Sequence, residues 1–431
     1  MKDLIHKALK GLYLYRTYGI KFLYRRIKIY VRTKEQNIKC KHLIDYKRPS
    51  FPQYQSEYQD DQDYSNYSTD VKVLAFYLPQ YHTFPENDEW WGKGFTEWTN
   101  VRKGRPRFEG HYQPRVPHDD FGYYNLDVPE TMKKQVKLAK SHGIYGFCFY
   151  YYWFSGKVLM ERPLEILLQH KEIDFPFCLC WANENWTRSW DGREDDVLIK
   201  QEYSVNNSSF FISSIIKYFS DSRYIRVNGR PLLLVYNPGQ IPDCHRMFSI
   251  WREKARELGL GEIAIWTCKT HNYDASLLGI HDCIDGEVEF PPHNIWLDAF
   301  KIQGIETKEK KANLYNYRKI VDYLSNQPKG KIPSHQTFMM GWDNAARRAD
   351  NWTTYYGFSL YTLYQWVSHV IEYTQNSFCD EERIAFVNAW NEWGEGTYLE
   401  PDQQYGYSTI NTVSKALFAI PLNNSRMEKY K

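Results

Sequence analysis

The stretch that decides the fold is KVLAFYL at residues 72–78, which is followed by IYGFCFYY at 144–151 and FPFCLCW at 175–181. Each of these runs is apolar on both faces, as a parallel strand is when its two sides are covered. Further candidate strands follow at 231–236, 262–267, 283–289, 336–341 and 384–390. The sequence therefore predicts eight strands, several of which are buried on both faces.

Segments with helical periodicity separate these runs, at 128–142, 161–171, 207–219, 244–258, 314–325 and 358–375. Strands that alternate with helices indicate βαβ units. Eight units predict an α/β protein with a (β/α)₈ barrel, which needs roughly 250 residues and accepts large insertions. An open doubly wound sheet is the alternative, but no glycine-rich dinucleotide fingerprint follows the first strand.

The composition along the chain predicts four segments. They are a basic amphipathic arm, a polar linker, the catalytic barrel and a C-terminal tail, at 1–45, 46–70, 71–420 and 421–431. Residues 1–36 contain ten Lys and Arg against Asp3 and Glu35, with apolar side chains between them. Such a helix suits either an anionic membrane surface or docking on the barrel.

Nucleic acid is not an expected partner, because the net charge is only +3 and no recognition fold accompanies the basic arm. The N-terminus shows no short apolar stretch ahead of a cleavage site, and no run reaches about 18 apolar residues. We therefore expect a cytoplasmic protein, peripheral at the inner membrane if the arm binds lipid.

Barrel enzymes carry their active sites at the C-terminal ends of the strands, so the polar and aromatic residues there are candidates. Aromatic residues make up 17% of the chain, and their faces suit the C–H faces of sugar rings. The candidate substrate-binding residues are Tyr77, Gln80, Tyr81, His82, Trp98, Tyr152, Trp181, Asn183, Glu184, Trp190, Asp191, Trp342, Asp343, Asn391 and Trp393.

The segment NEWGEG at 391–396 carries the strongest chemical signal. Glycosidic-bond chemistry uses a pair of carboxyl groups, and Glu392 and Glu395 are three residues apart at a predicted strand end. Spacing alone favours two solvated loop glutamates. The strand-end position and the aromatic neighbours favour catalysis, with Trp393 shielding one carboxyl and raising its pKa.

Other chemistries have little support. HExxH and GxSxG motifs are absent, and the Gly-Lys segment near residue 93 lacks the spacing of a phosphate loop. His82, His111 and His118 are separated by long loops. We expect no metal and no cofactor.

Four motifs together resemble the WbsX-type glycosyltransferases of polysaccharide gene clusters, which are similar to glycoside hydrolase family 99. They are FYLPQYH (76–82), EWWGKGFTEW (89–98), CWANENWTRSWDG (180–192) and FVNAWNEWGEGTYLEPD (386–402). The resemblance covers about residues 70–420. It implies a barrel enzyme that cleaves or transfers a glycosidic bond in O-antigen or capsule biosynthesis.

The resemblance also implies roles for the two glutamates. Glu392 would be the base on the sugar 2-hydroxyl, giving a 1,2-anhydro intermediate, and Glu395 would be the general acid/base. Gly394 departs from the pattern, since the hydrolases typically have His there. The basic arm would suit a lipid-linked glycan at the inner face of a bacterial membrane.

Two rival hypotheses stay open at this point. One is a non-catalytic glycan-binding barrel associated with the membrane, which would keep the aromatic wall. The other is a membrane scaffold whose function depends mainly on residues 1–36.

Overall fold

The computed structural model describes residues 58–422, apart from 189–192, 272, 274, 296, 306, 308–311 and 328–332. The predicted basic arm lies outside these residues, as do residues 46–57 of the predicted linker and 423–431 of the tail. The predicted strands and helices all fall inside the described part.

Eight strands form a barrel in the order in which they occur in the chain. Their bounds are β1 (Lys72–Tyr77), β2 (Ile144–Phe154), β3 (Phe177–Trp181), β4 (Arg230–Val235), β5 (Ala264–Lys269), β6 (Gly286–Glu289), β7 (Thr337–Phe338) and β8 (Ile384–Val387). Neighbouring strands pair in parallel from β1 to β6, and β8 pairs with both β7 and β1.

The gap between β6 and β7 is bridged by a single parallel pair. Val288 in β6 pairs with His335, which lies two residues before β7. The peptide N–H of Glu289 donates to the carbonyl of His335 at 2.8 Å, and that of His335 donates to Glu287 at 2.8 Å. The ring of strands is thus nearly closed, and the predicted (β/α)₈ barrel is confirmed.

Helices cover the outside of the barrel or lie in its loops. Their bounds are α1 (Pro85–Trp91), α2 (Glu97–Arg102), α3 (Pro129–Ser141), α4 (Arg162–Gln169), α5 (Val205–Phe219), α6 (Cys244–Glu257), α7 (Ala275–Leu278), α8 (Tyr317–Ser325), α9 (Leu360–Ser377) and α10 (Ser408–Leu417). Ser204 and Ser359 cap α5 and α9, where each side chain accepts a hydrogen bond from the backbone three residues on.

Short elements decorate the loops. The strands are Lys157–Leu159, Trp186–Arg188, Arg193–Ile199, Arg226–Val227, Asn313–Asn316, Thr353–Tyr356, Asn391–Glu392 and Thr397–Tyr398. The 3₁₀ turns are Pro238–Gln240, Leu297–Phe300, Asp380–Glu382 and Trp393–Glu395.

The sequence prediction differs from the structure at two helices. Helix α8 begins at residue 317, not 314, because residues 313–316 form a strand with 353–356 and the Asn316 side chain caps the helix. Helix α10 was not predicted, since Ser, Thr and Asn are weak helix formers. In the fold these polar groups are buried and bonded, as where the Ser414 hydroxyl donates to the carbonyl of His142 at 3.0 Å.

Aromatic rings fill the barrel. The ring of Phe76 on β1 lies 4.9 Å from Phe290, 5.4 Å from Phe386 on β8 and 5.7 Å from Tyr150 on β2. Side chains from several strands thus meet in the centre, so the interior is a packed core and the site lies above it.

Residues 58–70 of the predicted linker lie against the barrel. Tyr64 is buried, and its peptide N–H donates to the carbonyl of Ser141 at 2.8 Å. The amide of Asn411 on α10 donates to the carbonyl of Asp60 at 2.9 Å. This part of the predicted linker therefore belongs with the barrel.

The buried imidazole of His335 makes the stability of the barrel sensitive to acid. It stacks between Trp266 at 3.8 Å and Phe378 at 4.1 Å, and its Nδ1–H donates to the carbonyl of Ile384. Burial lowers the pKa of His335 to about 3. The unfolded chain takes up this proton near pH 6.5, so the free energy of unfolding falls as the pH drops from about 6.5 towards 3.

We predict that His335→Phe, which keeps a ring in the stack, removes about 2 kcal/mol of the stability difference between pH 7.5 and pH 5. Chemical denaturation at the two pH values measures this. Replacing the exposed His245 on α6 with Gln is the control. Equal pH dependence in the wild type and His335→Phe would contradict the assignment.

Candidate active site

The chain segment that follows β8 forms a compact turn at the mouth of the barrel. Two-residue strands at 391–392 and 397–398 pair antiparallel and enclose the 3₁₀ turn at 393–395. Gly396 closes this turn with φ +63°, and a Cβ there would lie 2.8 Å from that of Asp343. The turn brings Glu392 and Glu395 to the same side, where both reach one arginine.

Glu400 holds this turn from below. Its buried carboxylate accepts four hydrogen bonds at 2.7–3.0 Å, from Tyr124 Oη, Gln135 Nε2, Trp390 Nε1 and Trp393 Nε1. Burial raises the pKa of Glu400 to about 7, against the lowering effect of these donors. Both indole rings of the motif are therefore fixed by one carboxyl group.

Asn391 joins the turn to the loop after β1. Its amide donates to the carbonyl of Leu78 at 3.0 Å and accepts from the peptide N–H of Leu78 at 2.8 Å. The hydroxyl of Tyr81 donates to the carbonyl of Asn391 at 2.5 Å. The loops that follow β1 and β8 are thus tied together.

Arg347, in the loop after β7, contacts three carboxyl groups. Its Nε lies 2.7 Å from Glu97 on α2, and its terminal nitrogens lie 3.0 Å from Glu392 and 2.7 Å from Glu395. The side chain of Glu97 is fully buried, those of Arg347 and Glu392 are 8% exposed, and that of Glu395 is 27% exposed. Glu395 is therefore the member of this group that is most open to the mouth.

Burial shifts the protonation of these glutamates. It raises the pKa of Glu392 to about 8, although the charge of Arg347 acts in the opposite direction. Burial, with the charge of Glu97, also raises the pKa of Glu395 above its ordinary value. One guanidinium offsets only one negative charge, so the Glu392–Glu395 pair holds a proton at neutral pH.

A second polar cluster lies after β3, β4 and β5. Glu184 Oε1 accepts from the amide of Asn237 at 2.6 Å and lies 3.1 Å from His271 Nε2. The ring of His271 lies 4.3 Å from that of His293, whose Nε2 is 3.1 Å from the hydroxyl of Tyr236. Burial would raise the pKa of Glu184, but its hydrogen bond with His271 holds it below its ordinary value.

Tyrosines connect this cluster with the glutamate pair. Burial and the charges of Glu184 and Glu395 raise the pKa of Tyr236 well above its ordinary value. For Tyr152 on β2, burial and the charge of Glu392 have the same effect. Tyr236 interacts with both acidic groups, so the two clusters lie near each other at the mouth of the barrel, and the region between them is called the hollow.

Aromatic rings of the first and third loops pack together beside the mouth. The buried ring of Trp186 lies 6.2 Å from Trp90 on α1 and 5.2 Å from Tyr152. Trp98 instead packs inward, where its indole N–H donates to the carbonyl of Tyr124 at 2.7 Å. The motif at 89–98 therefore supplies side chains to this aromatic cluster and to the main core.

Comparison with known proteins gives the family. The model of the family described as "Glycosyltransferase WbsX" matches residues 73–413. The chain belongs to the WbsX glycosyltransferase family.

Two curated relatives, both called "Uncharacterized protein WxcX", come from strains of Xanthomonas campestris pv. campestris. Each is 39% identical over 351 residues, which is 81% of this chain and 50% of the relative. The chain thus spans about half the length of the curated relatives that it matches.

Solved structures share the fold of this WbsX-family chain. A GH99 endo-α-mannosidase from Bacteroides thetaiotaomicron superposes with a TM-score of 0.50 and 14% identity, covering 82% of this chain and 97% of its own. A glycoside hydrolase-like protein superposes with a TM-score of 0.50 and 13% identity, covering 87% of this chain and 97% of its own.

The predicted site residues divide by their access to the hollow. Tyr152, Glu184 and Trp342 are partly exposed at the mouth, together with Glu395. The others that the structure describes are buried, and these are Tyr77, Gln80, Tyr81, His82, Trp98, Trp181, Asn183, Asp343, Asn391, Glu392 and Trp393. Trp190 and Asp191 lie outside the described residues.

Most of the buried candidates bond to the protein itself. Asn183 pairs with the backbone of Asn237 at 2.7 and 2.8 Å. Asp343 accepts from His111 at 2.9 Å and from Gln113 at 2.7 Å. Trp393 is fully buried, stacks on Tyr398 at 3.7 Å and donates its indole N–H to Glu400 at 2.7 Å. These side chains shape the loops beneath the hollow.

Several residues of the site were not singled out from the sequence. They are Glu97, Tyr236, His293, Arg347 and Glu400. A signal existed for one of them, because the Arg347–Arg348 pair follows the seventh predicted strand within the polar loop.

Two further searches concern ions and membranes. Among the described residues, no three His, Cys, Asp or Glu side chains are grouped so that they could hold a metal ion. His82 bonds to the carbonyl of Pro79, His111 to Asp343 and His118 to Tyr58. Within the same part of the chain, no helix combines the length and apolarity needed to cross a membrane.

We predict that Glu400→Ala lowers the free energy of unfolding by roughly 3–5 kcal/mol, since each buried donor left unsatisfied costs about 1–3 kcal/mol. Urea denaturation measures this loss. Glu253→Ala, at an exposed position on α6, is the matched control. A loss that does not exceed that of the control would show that Glu400 does not hold the turn.

Proposed function

We propose that this chain cleaves or transfers a glycosidic bond with Glu392 and Glu395 as its catalytic residues. One observation carries the proposal: both carboxyl groups lie within 3.0 Å of nitrogens of the same guanidinium, at the mouth of the barrel. Two carboxyl groups that are held so close can act on one sugar residue. Their position after β8 is where barrel enzymes place catalytic groups.

The chemistry follows the scheme that the family resemblance implies. Glu392 removes the proton of the sugar 2-hydroxyl, and that oxygen bonds to the anomeric carbon. The bond to the leaving oxygen breaks, and Glu395 gives that oxygen a proton. Water or an acceptor hydroxyl then attacks the anomeric carbon and gives its proton to Glu395. The bond from that carbon to O2 breaks, and Glu392 returns its proton to O2. Attack by water gives hydrolysis, and attack by an acceptor hydroxyl gives transfer.

This scheme requires that the proton shared by Glu392 and Glu395 lie on Glu395 when the reaction begins. With a pKa of about 8, Glu392 holds a proton in the free protein at neutral pH. As the base it must lose that proton, while Glu395 must carry one. Arg347 contacts both groups and stabilises either anion, so a bound sugar has only to move one proton across the pair.

The substrate of the proposal is a glycan that lies along the hollow. Tyr152 and Trp342 offer partly exposed aromatic faces, and Glu184 with His271 offers a polar group for sugar hydroxyls. The partly exposed ring of Trp90, which packs on buried Trp186, extends this surface. We assign these residues to substrate binding.

The biological setting of the proposal is the assembly of a cell-surface polysaccharide, such as O-antigen or capsule, on the cytoplasmic side of the inner membrane. Its support is the WbsX family and the basic composition of residues 1–36. A lipid-linked glycan would suit such an arm, which would hold the enzyme at an anionic surface.

We expect Glu392→Gln and Glu395→Gln each to lower turnover by about 10²–10⁴, because each removes one proton-transfer group. Incubation of the purified protein with the glycan made by its own gene cluster, followed by mass spectrometry, measures cleavage or extension. Glu253→Gln on α6 is the control. Unchanged turnover in both catalytic variants would contradict the mechanism, and binding without turnover in the wild type would favour a glycan-binding barrel.

The pH dependence of activity tests whether the glutamate pair shares one proton. We expect a bell-shaped profile of kcat/KM in which activity falls above pH about 8, where the pair loses its last proton. Activity should fall again at low pH, where both groups are protonated and no base remains. Initial rates from pH 4 to 10 measure the profile, and a rate that keeps rising above pH 9 would contradict it.

A further inference from the structure

Gly394 lies in the 3₁₀ turn that separates the two catalytic glutamates in the chain. A Cβ at this position would lie 1.9 Å from Glu97 Oε1, 2.5 Å from Arg347 Nε and 3.1 Å from Arg347 Cζ. Real Cβ atoms essentially never come closer than 3.0 Å to a heavy atom. The space of a side chain at 394 is therefore occupied by the ion pair of Arg347 with Glu97.

That ion pair is rigid because Glu97 is held on both of its oxygens. One oxygen accepts from Arg347 Nε at 2.7 Å, and the other accepts from the amide of Asn100 at 3.2 Å. Both Glu97 and Asn100 are buried on α2. With Nε anchored in this way, the two terminal nitrogens of Arg347 point at Glu392 and Glu395.

We propose that Arg347 is the positioning residue of the catalytic pair, that Glu97 anchors it, and that the absence of a side chain at Gly394 is what admits it. The inference rests on the proposed function of Glu392 and Glu395. Arg347 acts on the reaction through these two groups and through the proton that they share.

The geometry requires an arginine. A planar guanidinium presents donors in a fixed fork, so that one group spans three carboxyl groups in different directions. A lysine ammonium is a single point charge on a flexible chain and cannot keep all three contacts at once. Arg347→Lys should therefore keep the charge and lose part of the positioning.

Charged and titratable groups on several other elements also interact with the glutamate pair. The variants of Arg347 and Gly394 leave all of these groups in place. They are Glu97 on α2, Tyr81 after β1, Tyr150 and Tyr152 on β2, Tyr236 after β4 and Arg348 after β7. Arg347 is the cation that touches both glutamates among the described contacts.

The test is a titration of the whole chain labelled with ¹³C at the glutamate carboxyl carbons and followed by NMR. Glu392→Gln and Glu395→Gln assign the two signals. In Arg347→Met we expect the pKa of Glu392 to rise above the wild-type value of about 8, by about one unit, a tenfold change in its dissociation constant. Arg347→Lys should give a smaller rise in the same direction.

Gly394→Ala tests the second part of the proposal. We expect it to displace Arg347 and to reproduce most of the rise seen in Arg347→Met. In the double variant the two effects should not add, because the arginine that the added methyl group displaces is already gone. Additive shifts, or an unchanged titration in either single variant, would overturn the proposal.

A buried arginine away from the mouth is the matched control. Arg223 is 7% exposed and bonds to Asp221 at 2.8 Å, in the segment between α5 and β4. Arg223→Lys should lower stability and leave the glutamate titration unchanged. If it moves the titration as Arg347→Lys does, the effect is a general loss of structure and the assignment is wrong.

The titration needs no substrate, so its result is independent of the glycan assay. An inactive wild-type chain would contradict the proposed function even if Arg347 shifts the pair as expected. An active chain whose pair ignores Arg347 would contradict the present inference alone. Where activity is found, kcat in Arg347→Lys should fall more than KM rises, because the pair acts on the chemical step.

Discussion

The mouth of the barrel is organised by one guanidinium group that lies between three carboxyl groups. Arg347 ties the first, seventh and eighth loops together, because its partners Glu97, Glu392 and Glu395 come from different parts of the chain. A buried charge is tolerated only where it is paired, and each member of this group is paired. The excess of negative charge keeps a proton on the pair, which is the state that acid–base chemistry needs.

The layer beneath this group explains why the motif at 386–402 is so rich in polar and aromatic residues. Glu400 accepts four hydrogen bonds, Asn391 pairs with the backbone of Leu78, and Trp393 stacks on Tyr398. These contacts lie below the hollow and set the direction of Glu392 and Glu395. Most of the motif therefore maintains the geometry of the turn, and a small part of it is exposed at the mouth of the barrel.

The sequence predicted the barrel well because doubly buried parallel strands are apolar at nearly every position, as in β1, β2 and β3. It also predicted that the two glutamates lie at one end of the barrel, because the apolar run of the eighth strand ends just before them in the sequence. It could not separate Glu184, which faces the hollow, from Asn183, which bonds to the backbone of Asn237. The two are adjacent polar residues, and only the fold decides which one is covered. Arg347 was missed for a related reason, since its partners are 45 or more positions away in the chain.

The central claim is that Glu392 and Glu395 act on one glycosidic bond, and a structure of the Glu395→Gln chain with its glycan tests it most directly. The account predicts a sugar in the hollow between the pair and Glu184. Its 2-hydroxyl should lie roughly 3 Å from Glu392, and the glycosidic oxygen should lie at a similar distance from residue 395. A glycan bound with both of these oxygens far from the two residues would contradict the account.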